Sequence, residues 1–78
     1  MTQTAKATDL TLGQLLVGGD WACAHGDIEA LSDVAEQLSG RVQDVLRSEL
    51  VELARLCRRD EDRAAGRWPA LRSRLTAR

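Results

Sequence analysis

The sequence predicts an all-α fold: a small antiparallel bundle of three to four helices in a single domain spanning 1–78, with 1–9 as a polar, disordered tail. Three observations carry this. The aliphatic residues are twelve Leu, eleven Ala, five Val and one Ile, with no Phe or Tyr, which is helix-forming material. One Pro stands in the whole chain, β-branched residues are few, and no stretch alternates apolar and polar residues long enough to make a half-buried strand. Apolar residues instead recur at steps of three and four. The helices are expected near 11–25, 27–39, 41–59 and 61–76, with one long helix over 27–59 as the alternative to the middle pair.

The first helix opens with complete start chemistry. Thr11 can accept from the amide of Gln14, Gln14 can reach back to the amide of Thr11, and Leu10 can staple onto Leu15. Leu12, Leu15, Leu16, Gly19 and Cys23 then share one face, while Val17, Trp21 and Ala24 form a second. A helix this apolar is usually covered on more than one side. Gly18 and Gly19 cost together roughly 2 kcal/mol relative to alanine in a helix interior. Either they admit a close neighbour, with a large side chain seated over them, or Gly18-Gly19-Asp20 is a loop. A break there would leave a helix of two turns, which favours continuity.

His25-Gly26-Asp27 has the order of a helix end and restart: Gly26 in the left-handed conformation, Asp27 as the next N-cap, Glu29 in the first turn. The second series, Ile28, Leu31, Ala35, Leu38, Val42 and Val45, keeps its phase through Ser39-Gly40, which favours one long helix. Gly40 is a plausible stop, and compactness favours a turn. Beyond Leu46 the stripe shifts to Leu50, Leu53, Ala54 and Cys57. Asp60 can cap a last helix with Glu61 and Asp62 in its first turn. Pro69 kinks that helix near Gly66 or restarts it. Trp68, Leu71 and Leu75 share a face and form a C-terminal clamp.

The stretch Leu12 to Leu38 resembles, in outline, a tetratricopeptide-type helical hairpin, with small Gly19 inside the first helix and Gly26-Asp27 at the turn. Ala30 stands one position off the small residue that pattern requires and no second copy follows, so no family is assigned on it.

The net charge of −1 gives the chain as a whole no electrostatic claim on nucleic acid, but its distribution is uneven: −6 over 1–53 and +5 over 54–78. Such a polarised molecule can pair with itself or offer a basic end to an acidic partner. Ten of the eleven basic residues are Arg, a usage that a GC-rich bacterial genome explains. An anion site would draw on Arg58, Arg59, Arg63 and Arg67. Nucleic-acid binding through this Arg-rich segment is the alternative function, opposed by Asp60, Glu61 and Asp62 and by the lack of exposed aromatics there for stacking.

Cys23, His25 and Cys57 are the candidate metal or thiol site. Zinc needs about four converging ligands, and residues two apart on a helix point roughly 200° away from each other. Both cysteines lie on apolar stripes, where a thiol behaves as a small hydrophobe. No third group positions a Cys/His nucleophile, and a chain of this length has little room for a pocket of roughly 300 Å³. The expectation is therefore no enzyme, no cofactor and no metal. With no leader and no stretch able to span a bilayer, it is also a cytoplasmic protein without membrane contact. The function expected is a protein–protein interaction module, an adaptor, accessory subunit or chaperone-like protein. Its apolar seam of Leu12, Leu16, Val17 and Trp21 would meet a second copy or a larger protein.

Overall fold

The computed structural model describes residues 11–77. Four helices follow one another, α1 (Leu12–His25), α2 (Ile28–Ser39), α3 (Asp44–Arg59) and α4 (Glu61–Thr76), and no strand occurs among the described residues. The tail over 1–9 and the proposed Leu10–Leu15 staple lie outside the described residues. Short connections turn the chain back at each step. α2 packs on α1 and α3, and α4 packs on α3 and closes across to α1.

The capping chemistry explains the boundaries. Thr11 and Gln14 form the reciprocal box, with the Gln14 amide 3.1 Å from the Thr11 hydroxyl and the Thr11 amide 2.8 Å from the Gln14 side-chain oxygen. Gly26 ends α1 at φ 68°, a conformation that costs glycine nothing. The amide of Asp27 returns to the carbonyl of Ala22 and that of Gly26 to Cys23, the paired bonds that close a left-handed helix end. Asp27 then caps α2 by accepting from the Ala30 amide.

The middle of the chain departs from its apolar phase. α2 stops at Ser39, so the single long helix over 27–59 is not formed, and α3 begins at Asp44 rather than near 41. Gly40 is right-handed, φ −78°; the positive φ falls instead on Asp44, at 66°. The loop carries Val42 into the core, which uses up the residues that an earlier start of α3 would need. Val45, next in the apolar series, is consequently turned out to solvent. From there Leu50, Leu53, Ala54, Leu56 and Cys57 form the buried face of α3.

Gly18 and Gly19 lie inside an unbroken α1. A large side chain, Trp68, lies over Gly19: a Cβ there would stand 2.2 Å from the indole ring. A Cβ at Gly18 would meet only Val34 of α2, at 3.5 Å, an ordinary contact distance. Trp68, 1% exposed, donates from its indole nitrogen to Asp20 at 2.8 Å, and Arg72 donates to the other oxygen of the same carboxylate at 2.8 Å. Leu71 and Leu75 are buried beside it. α4 passes through Pro69 without ending or restarting. Pro69 has no N–H to offer the Ala65 carbonyl four residues earlier, and the Cys23 thiol, a weak donor, points at that oxygen from 3.9 Å.

Candidate interaction surface

The two faces read from α1 point opposite ways. Leu15, Leu16, Gly19 and Ala22 are buried against α2 and α4. Gly13, Val17, Trp21 and Ala24 are exposed, and at 100° per residue they fall within about 80° of one another on the helix wheel. Val17 is 63% exposed and Trp21 50%. No charged side chain interrupts this stripe.

The expected seam is corrected by this geometry. Leu16, 6% exposed, belongs to the core. Leu12, 37% exposed, lies roughly 140° around the helix from Val17, on the same side as Leu16 and Gly19. The outward pair is Val17 and Trp21. The two apolar faces are legible in the sequence, and Leu12 and Leu16 fall on the side of Leu15 and Gly19, opposite Val17 and Trp21.

His25 braces the pair. Its ring stacks on the Trp21 indole with centroids 4.3 Å apart and planes inclined by 21°, and its Nδ1 donates to the Trp21 carbonyl oxygen at 2.9 Å. Stacking against His25 favours this orientation of the indole, which lowers the ordering cost of a contact. His25, considered from sequence as a metal ligand, is engaged with its own helix end. Among the described residues no group of three His, Cys, Asp or Glu converges as a metal site.

The cysteines sit inside. Cys57 is buried and Cys23 half-buried, and both are free thiols. Burial pushes the Cys57 thiol up, with the nearby Cys23 adding to the effect; burial raises Cys23 as well, with Asp20 adding. Raised, enclosed thiols are poor nucleophiles.

Space is larger than the chain length suggested. A shallow cleft of about 550 Å³ opens where α2, α3 and α4 meet, lined by Ile28, Glu29, Ser32, Asp33, Cys57, Arg58 and Glu61. Its lining sets the carboxylates of Glu29, Asp33 and Glu61 and the Arg58 guanidinium beside the buried Cys57 thiol. The Arg residues expected to gather an anion are dispersed. Arg58 reaches across to Glu36 of α2 at 3.6 Å, Arg59 lies 3.9 Å from Glu52, and Arg63 lies 3.9 Å from Asp60. Arg67 is exposed on α4, and Arg74 nearby is hydrogen-bonded to Glu49. That bond holds the Glu49 carboxyl below its usual value. Carboxylates thus already face Arg58, Arg59 and Arg63.

Fold and surface together define a small four-helix bundle with an uncovered tryptophan face. No protein-family model matches the sequence, and no curated protein or solved structure matches it significantly. No helix is long and apolar enough to cross a membrane among the described residues.

Proposed function

We propose that this protein is a non-enzymatic interaction module of the adaptor or accessory-subunit kind, which associates through the outer face of α1, with a second copy or with a larger protein. The observation that carries this is the exposure of Trp21 beside Val17 on a helix whose opposite face already fills the core. Tryptophan is enriched among the residues that dominate binding energy, and burying Val17 and Trp21 would cover the two most exposed large apolar side chains of α1. The uneven charge of the chain sets orientation rather than affinity.

The test is association of the 8.6 kDa chain measured by light scattering, and recovery of partners from its native host, each with wild type and with the Val17→Ser/Trp21→Ser double variant. The reading requires a complex that the double variant loses while its helix content and unfolding midpoint stay unchanged. A wild-type chain that stays monomeric and retains the same proteins as the double variant removes the proposal.

A further inference from the structure

A single residue, Asp60, separates α3 from α4. It ends one helix and caps the next in an extended conformation, φ −153° and ψ 92°, and its carboxylate accepts from the Arg63 amide at 3.2 Å. No Gly or Pro stands between Cys57 and Ala65, so the turn rests on the Asp60 cap and not on a helix-breaking residue.

The buried residues on either side of Asp60 keep one phase. Leu50, Ala54 and Cys57 on α3 and Ala64, Trp68, Leu71 and Leu75 on α4 are all buried. They step by four and three without a slip if Glu61 takes the one remaining place. Apart from the charged and exposed Glu61 at the junction, that is the spacing of one continuous helix with one stripe. A corner fixes the relative orientation of two helices by itself and does not require their stripes to be in register. The connection between α2 and α3 differs: its four residues include Gly40, α3 opens on a positive φ at Asp44, and Val45, in phase with α2, is left exposed while the buried stripe resumes out of that phase at Leu50.

We propose that α3 and α4 can also form one unbroken helix, so that α4 leaves its own bundle and packs on α1 and α3 of a second copy: a domain-swapped dimer hinged at Asp60. Every contact α4 makes in the closed chain is then remade between copies. Trp68 seats on the second copy's Gly19, and Trp68 and Arg72 donate to its Asp20. Only the hinge changes, which makes exchange of an identical element a low-cost route to a dimer. At the hinge, opening gives up the Asp60 cap and brings Arg58 to helical spacing with Asp62. It also brings Arg59 to the same spacing with Arg63, a like-charge pair that opposes it. The outer face of α1 takes no part, so this dimer is independent of the proposed function.

The experiment is refolding at high protein concentration followed by light scattering, in the Val17→Ser/Trp21→Ser background, which removes association through α1. Asp60→Ala deletes the cap and supplies a better helix former, and is expected to tighten the dimer by about tenfold or more. The fused helix from Asp44 to Thr76 would run roughly 50 Å, longer than the 40 Å greatest extent of the closed chain, which small-angle scattering reads. Chains carrying Asp20→Arg and Arg72→Asp, refolded together, are expected to form a heterodimer that neither forms alone to the same extent, since exchange places the two substitutions opposite one another. If Asp60→Ala stays monomeric at every concentration, or gives a dimer no longer than the closed chain, the proposal is overturned. Asp60→Ala and the length measurement decide the matter even if the Asp20 variant fails to fold.

Discussion

The indole of Trp68 lies against the bare backbone of Gly19, so close that a methyl group placed on Gly19 would overlap the ring. A glycine that weakens α1 locally is thereby the seat of the largest side chain in the core. Packing decides over helix propensity here, because the ring buries more than the glycine forfeits.

That relationship predicts opposite signs at adjacent positions. Gly19→Ala must displace Trp68 and is expected to lower stability by about 1–3 kcal/mol, the range of an overpacked core. Gly18→Ala meets only Val34 at van der Waals distance and is expected to raise stability by about 0.5–1 kcal/mol through helix propensity. Urea unfolding of the two variants checks this. Equal effects would refute the close packing.

The two tryptophans should separate just as sharply. Trp68→Ala empties the core and is expected to cost about 3–5 kcal/mol, in line with other buried aromatic truncations. Trp21→Ala removes a half-exposed ring and should change the stability of the isolated chain by about 0.5 kcal/mol or less. Iodide should quench the fluorescence of Trp21 and leave that of Trp68 largely untouched.

Asp20 accepts from both Trp68 and Arg72, but the two bonds differ in worth. Arg72 is partly exposed and solvent can replace its partner, whereas the Trp68 N–H is enclosed. Asp20→Ala is therefore expected to cost about 1–3 kcal/mol, the penalty of an unpaired buried donor, and Arg72→Ala less than about 1 kcal/mol. Asp20→Asn, which keeps an acceptor for the indole, should recover most of the loss. Thermal unfolding of the three variants reads the order.

The thiols give the pH dependence. Both Cys23 and Cys57 are raised above the ordinary value of 9.0, first by burial, so the folded state holds their protons more tightly than the unfolded state does. Their contribution to stability is fully present below the unfolded value and is lost as pH rises through the folded one. The urea midpoint should accordingly fall in the alkaline range above 9.0 and show no thiol-linked change at neutral pH. Cys57 should react with a disulfide reagent only as fast as the chain unfolds, and Cys57→Ala should flatten the alkaline slope. Rapid modification of Cys57 in the native protein would contradict its burial.

Much of the fold was legible because its signals are local. The Thr11–Gln14 box, the Gly26 left-handed end and the Asp27 and Asp60 caps each depend on a few consecutive residues, and each of these helix ends falls where the sequence places it. The two-faced pattern of α1 was equally local, since Val17, Trp21 and Ala24 stand apart from Leu15, Leu16 and Gly19 on any helix. The start of α3 was not legible: Val42 and Val45 continue the stripe of α2, and only the demand of the core for Val42 shows which one turns inward.

By itself, then, the order of residues determined which segments coil and where most of them stop, because hydrogen bonds at helix ends and the three-and-four step of apolar side chains are settled within a few positions. Tertiary structure alone decided that Trp68 would lie on Gly19, that Asp20 would hold α4 from 48 positions away, and that Leu16 would be enclosed while Trp21 stayed in water. Those outcomes turn on how four helices share one volume, and the shape of that volume is a property of the assembled bundle that no single segment encodes.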